Sequence, residues 1–264
     1  MLLNQTKATD GYLWIRQGLW LFKKNPLTFL MLVFLYIFIA QFAILIPVFG
    51  VFLVLLLTPA LTVGFMTACQ RVIRGERVFP TIYLVGLREH GPVIRKNLLG
   101  LGTIYAFLVL ILSLIASAFI DFQQLIPLLT EQNPPTIREV KDLYFGLGVG
   151  VLLYIPVAMV MWFAPVLIVW EKMSVAQALF SSWVACWSNR AAFIFYLLIW
   201  AVFIVVVPFL IEAFLDGIGL RVAIPFLIPP YSMAALTVMY CSFFATWKAC
   251  FNKELAEPTE QSVN

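Results

Sequence analysis

The chain has 264 residues, 63% of them hydrophobic and only 11% charged, with a formal net charge of +4. A soluble domain is about half apolar and about a quarter charged, so a water-soluble globule is excluded and the bilayer is the solvent that suits this composition. Cys69, Cys186, Cys241 and Cys250 have no paired spacing and His90 is the one histidine, so neither a disulfide framework nor a zinc site is legible.

Residues 1–25 mix apolar positions (Tyr12, Leu13, Trp14, Ile15, Leu19 to Phe22) with Arg16, Gln17, Lys23 and Lys24. The polar residues recur at seven-residue offsets and so share one helix face. This predicts a helix lying in the headgroup region, tryptophans at the interface and cations in water; a polar leader with exposed aromatics is the plainer alternative. The first span is expected over 26–46, where Gln41 alone is strongly polar. It is long enough to cross at about 1.5 Å per residue, and too long and too late to be a cleavable signal peptide. Pro47-Val-Phe-Gly50 is a tight uncharged turn into a second span, 51–69, kinked at Pro59.

Arg71, Arg74, Glu76, Arg77, Arg88, Glu89, His90, Arg95 and Lys96 then crowd one connection, interrupted by Gly91-Pro92. A third span, 98–120, leads to a polar loop, 121–142, with a short helix expected after Pro135. The fourth span, 144–170, carries Pro156 and Pro165. Ser174-Val-Ala-Gln177 matches a capping box, and Val175, Leu179, Trp183 and Trp187 predict an apolar stripe on a second interfacial helix. The fifth span, 191–211, and the sixth, 223–247, flank a short loop with Asp216 and Arg221, and 248–264 is a polar tail.

With both ends in the cytoplasm, only Arg138, Lys141 and Arg221 lie outside, and the other fourteen of seventeen basic residues lie inside. That obeys the positive-inside rule. A threefold pattern also suggests itself. The hinges Phe22-Lys-Lys-Asn25, Ile94-Arg-Lys-Asn97 and Trp187-Ser-Asn-Arg190 precede spans. The cores at Thr58-Pro59, Ala164-Pro165 and Pro229-Pro230 sit in the second span of each hairpin. Such units would be parallel repeats about an axis along the membrane normal; chance likeness among apolar segments is the alternative.

Little chemistry is legible. Glycine-rich phosphate loops, His-rich metal motifs and nucleophile elbows are missing from the sequence. His90 falls on the opposite side of the membrane from Asp121, Asp142 and Asp216, so no Ser-His-Asp arrangement assembles from them. A Cys186–His90 pair is sterically conceivable. The span centres hold no ionisable residue, where ion-coupled transporters usually keep one. Small pairs four apart, Ala60/Gly64, Ser113/Ser117 and Gly146/Gly150, offer close helix contacts within the monomer or between copies.

Gly18-Leu-Trp-Leu-Phe-Lys-Lys-Asn-Pro26, Arg74-Gly-Glu-Arg-Val-Phe79, Ala164-Pro-Val-Leu-Ile-Val-Trp-Glu171 and Ser174-Val-Ala-Gln-Ala-Leu-Phe-Ser-Ser182 carry a resemblance. The chain resembles uncharacterised six-span inner-membrane proteins of proteobacteria. These are similar to the YciC-like family and to the membrane domain found beside some glycerophosphodiester phosphodiesterases. The resemblance implies a bacterial inner-membrane location and brings no catalytic residues.

The expectation is an all-α membrane protein: six spans in a bundle with amphipathic interfacial helices on the cytoplasmic face. Its function is expected to be non-enzymatic, membrane-organising or accessory, with membrane lipids or a partner membrane protein as partners and no cofactor, metal or nucleic acid. Candidate contacts for anionic lipid or partner are Arg71, Arg74, Arg77, Arg88, Arg95 and Lys96, though these residues serve equally to set topology. The alternative is a transporter or flippase for a lipid-like substrate, with a cavity lined by Gln41, Tyr154, Ser232 and Tyr240.

Overall fold

The computed structural model describes residues 3–46, 49–118 and 137–251. The start of the polar loop, with Glu131 to Pro135, the tail beyond Phe251, and Pro47 with Val48 of the first turn lie outside the described residues. Helices follow as α1 (Asp10–Lys24), α2 (Pro26–Ile44), α3 (Phe49–Ile73), a short turn Pro80–Leu84 and α4 (Val85–Arg88). Then come α5 (Gly91–Ser117), α6 (Ile137–Met161), α7 (Ala164–Trp170), α8 (Val175–Ser188), α9 (Arg190–Ala201), α10 (Val207–Gly217) and α11 (Ile224–Phe251). Among the described residues six helical stretches are long and apolar enough to cross a membrane: Pro26–Ala43, Phe49–Ile73, Gly91–Ser117, Gly148–Trp170, Arg190–Gly217 and Arg221–Phe251.

The core sits toward one end of these spans. Phe29, Leu32 and Val33 of α2, Ala60 to Val72 of α3, Leu98 to Ala106 of α5, Ala192 to Trp200 of α9 and Val238 to Cys250 of α11 hold the buried positions. All lie in the half of each span nearest the basic connections. The other halves, with Phe38 and Phe42, Ile111 and Leu114, Val202 to Val206, and Phe226 and Leu227, are exposed apolar surface. In a bilayer such side chains face lipid at no solvation cost, so these halves stay apolar without being covered by protein.

α1 packs one face against the bundle. Trp14 is 1% exposed and packs against Phe193 and Tyr196 with ring centroids 5.1 and 5.8 Å away. A Cβ on Gly18 would stand 2.6 Å from the Ser242 Cβ, so only glycine lets α1 lie this close to α11. The apolar face of α1 is therefore filled by protein, while Arg16, Lys23 and Lys24 stay exposed on the other. Trp20 is also exposed, with Lys24 Nζ 4.4 Å from its ring centroid.

Two of the three expected asparagine corners form. Asn25 caps α2, its Oδ1 accepting from Thr28 N at 3.3 Å, and Pro26 starts the helix with a fixed φ and no orphan donor. Asn189 begins α9 and is buried. Its Oδ1 accepts from Thr6 N at 2.7 Å and Thr6 Oγ1 at 2.9 Å, and its Nδ2 donates to Asn4 O and Ala185 O. The third corner differs: α5 begins at Gly91, at φ 82°, and runs unbroken through Asn97.

The prolines of these three spans have two outcomes. Helix α3 continues through Pro59 and α11 through Pro229 and Pro230, but span four breaks at Trp162-Phe163, just before Pro165. The break is sealed by α8. Ser182 Oγ donates to Met159 O at 2.7 Å and accepts from Phe163 N at 3.0 Å, satisfying two backbone groups that an apolar interior would otherwise penalise. The wholly buried run Ala164 to Val169 then continues as α7. The capping box of α8 forms, Ser174 N donating to Gln177 Oε1 at 3.2 Å. The bundle-facing stripe of α8 is Ala178, Ser182, Ala185 and Cys186, because small residues let it reach the break. Of the expected apolar stripe, Trp183 and Trp187 stack on each other at 5.9 Å, with Trp187 exposed.

A second irregularity lies in span five, where Val202–Val206 forms a π-helical turn before Pro208. Val207 N donates to Val202 O, so the same spacing would pair Phe203 O with Pro208, which has no N–H. The Tyr231 hydroxyl supplies the donor instead, at 2.7 Å.

Of the small pairs, Ala60 and Gly64 are buried within the monomer, and a Cβ on Gly150 would touch Ala116 at 3.7 Å. Ser113 and Ser117 bond their own helix, at Val109 O and Leu114 O.

Candidate functional site

The six cations singled out from the sequence are brought to one end of the bundle. Arg71 ends α3, Arg74 and Arg77 flank the turn at Gly75, Arg88 ends α4, and Arg95 and Lys96 lie in the first turns of α5. What gathers them is a hairpin whose apolar residues anchor it back against α2 and α3. Val78, Ile82, Tyr83 and Val85 are buried, and the Tyr83 hydroxyl donates to Leu32 O at 2.9 Å. Burial pushes the Tyr83 phenol well above its ordinary range, so this donor stays protonated.

Two of the six are partnered. Arg71 lies 3.7 Å from Glu89 and Arg74 lies 3.9 Å from Glu76, both pairs largely in solvent and so weak. Arg77, Arg88, Arg95 and Lys96 have no carboxylate partner among the described residues, and all four are exposed. The exposed Trp187 sits at the same end with Arg190 5.5 Å from its ring.

The residues expected to line a cavity are not brought together as a set. Tyr240 lines a small recess of about 40 Å³ between α2, α3 and α11, with Val33, Tyr36, Thr58, Phe65 and Phe243 among its other walls. Tyr154 instead faces α5, its hydroxyl 3.0 Å from the Tyr105 hydroxyl. Gln41 and Ser232 are exposed, away from the recess. Sequence reasoning missed Tyr36 and Phe65, whose only signal was an aromatic in an aromatic-rich span.

The cysteines, scattered in sequence, meet in space. Cys69 of α3 and Cys241 of α11 belong to one buried cluster. Cys250 receives Asn189 Nδ2 at 3.7 Å and neighbours Cys186. All four are buried. Burial pushes the Cys186 thiol far up, and it donates to Met159 O at 3.6 Å, so it is held as a neutral donor rather than a nucleophile. His90 is occupied at Val85 O, 3.2 Å away, so the conceivable Cys186–His90 pair is not made. At the other end of the spans Asp216 accepts from Arg221 across the turn between α10 and α11.

No family profile and no solved structure matches the chain. A curated relative from Burkholderia thailandensis, "Probable inner membrane protein BTH_II0599", is 38% identical over 259 residues, covering 95% of this chain and 94% of the relative. Near-complete coverage carries all six spans, the basic hairpin and the broken fourth span into the aligned region. The chain therefore belongs to the same family as this probable inner membrane protein.

Proposed function

We propose that this chain is a non-enzymatic, multi-pass protein of the bacterial inner membrane, with both termini cytoplasmic. Its basic rim binds anionic lipid headgroups and so organises the membrane around itself or around a partner membrane protein. The observation that carries this reading is the set Arg77, Arg88, Arg95 and Lys96: four exposed cations, gathered by an anchored hairpin and left without carboxylates among the described residues. A polybasic segment beside an anionic leaflet gains about 1 kcal/mol per cation, roughly five-fold in affinity each. Exposed Trp20 and Trp187, each beside a cation, suit the headgroup level.

Neutralising the four together (Arg77→Gln, Arg88→Gln, Arg95→Gln, Lys96→Gln) is expected to lower the anionic phospholipid retained after gentle detergent extraction by about ten-fold or more, read by mass spectrometry of the purified protein. Zwitterionic lipid should be unaffected. Unchanged retention of anionic lipid would remove the support for this function.

A second reading, movement of a lipid-like molecule across the bilayer, is favoured by the loosely packed far halves of the spans and the Tyr105–Tyr154 hydroxyl pair between α5 and α6.

A further inference from the structure

We infer that the recess between α2, α3 and α11 is a binding site for a membrane-soluble ring carbonyl compound of the isoprenoid quinone class. This inference stands apart from the basic rim and needs neither reading above.

The depth comes first. Tyr36 lies ten residues into α2 from Pro26, and Tyr240 eleven residues before the end of α11 at Phe251. At 1.5 Å per residue both are about 15 Å from the basic end, the middle of a hydrocarbon core about 30 Å thick. Phospholipid headgroups do not rest at that level, so an occupant must be largely apolar.

The polar chemistry comes second. The Thr58 hydroxyl donates to Val54 O at 2.8 Å and the Thr62 hydroxyl to Thr58 O at 2.9 Å, each within its own helix. Tyr83 is used by Leu32 O. The Tyr36 and Tyr240 hydroxyls are left, and among the described residues neither has a hydrogen-bond partner. A phenol with no partner in hydrocarbon is penalised, and it offers one O–H donor. Two such donors on one recess call for an acceptor, and a carbonyl oxygen has two lone pairs and carries no donor that would itself need satisfying.

The shape comes third. The walls are aromatic: Phe65 and Phe243 lie with ring centroids 5.6 and 5.5 Å from Tyr240, and Tyr36 meets Tyr240 edge-on at 6.4 Å. Flat rings pack against such walls in offset or edge contacts. The recess itself holds only about 40 Å³, so it takes the carbonyl edge of a ring while the rest of the ring lies along the aromatic walls toward lipid. A flat ring bearing carbonyls, its tail among the exposed apolar side chains of the far half, meets all three conditions.

The test is native mass spectrometry of the full chain in detergent with decylubiquinone, and with decylbenzene as a tail-matched compound without carbonyls. The expected result is a one-to-one adduct with decylubiquinone only, weakened about ten-fold when Tyr36→Phe and Tyr240→Phe are combined. Phe65→Trp, which fills the recess and leaves both hydroxyls, should abolish the adduct, and it serves if the double variant does not fold. Equal adducts with decylbenzene, or a decylubiquinone adduct unchanged in Phe65→Trp or in the folded double variant, would overturn the inference.

Discussion

Leucine in place of Gly102 is expected to abolish the folded bundle. Any Cβ at this position would stand 1.9 Å from Leu56 O and 2.8 Å from Leu56 C. Those are backbone atoms of α3, so no rotamer change relieves the overlap and the two helices must part. Overpacking that side chains can absorb costs about 1–3 kcal/mol. Here the loss exceeds that, because separating α5 from α3 also unpacks Leu98, Leu101 and Ala106, all buried. Within a bilayer, where apolar side chains gain nothing by leaving lipid, close backbone approach is the main source of helix association. Size-exclusion chromatography of detergent-extracted protein reads the outcome: aggregate for Gly102→Leu, and a wild-type profile for Gly100→Leu, where nothing lies within 4 Å of the added carbon. A monodisperse Gly102→Leu variant with an unchanged melting midpoint would contradict this packing.

Removal of the Ser182 hydroxyl, as Ser182→Ala, is expected to destabilise the protein by about 2–3 kcal/mol. A side-chain hydrogen bond between membrane helices is worth about 0.6 kcal/mol on average, because the separated helices find other partners. Ser182 is different in serving two main-chain groups at once, Met159 O and Phe163 N, at the one place where span four has no helical ladder to fall back on. Phe163 N would be orphaned, and Met159 O would keep only the weak Cys186 thiol donor at 3.6 Å. The shift is read as a lower thermal midpoint, beside Ser113→Ala, whose hydroxyl only doubles a bond within its own helix. Equal midpoints for the two variants would mean that the break is held by something other than Ser182.

The number and order of spans were legible because about twenty apolar residues between polar connections can do little else. The helix starts at Pro26 and Val175 were legible too, since Asn25-Pro26 and Ser174-Gln177 carry capping chemistry in adjacent residues. What hydropathy does not show is which part of a span packs. Phe29 and Phe38 are the same residue type in the same helix, one fully buried and one half exposed. A lipid-facing phenylalanine and a core phenylalanine are equally apolar, so no pattern separates them. The same blindness hides how α1 packs: its apolar stripe is equally good for lipid and for protein, and the approach of Gly18 to Ser242 shows that part of it meets protein. The basic rim was legible as a run of cations. Its division into the partnered Arg71 and Arg74 and the four others depended on where Glu76 and Glu89 fold back. The recess was half legible, through Tyr240. Tyr36 was not, because its free hydroxyl is defined by what the neighbouring helices leave unbonded.

The function proposed for the rim requires that the end carrying Arg77, Arg88, Arg95 and Lys96 face the cytoplasm. The native cysteines are all buried, so they give little background to a membrane-impermeant maleimide. Cysteines introduced singly as Gln132→Cys, in the loop between spans three and four, and Thr259→Cys, in the tail, report the two sides. In intact cells the Gln132 position is expected to label fully, and the Thr259 position only after the membrane is opened. Labelling of Thr259→Cys in intact cells, with Gln132→Cys protected, would place the basic rim on the wrong face and end the proposal.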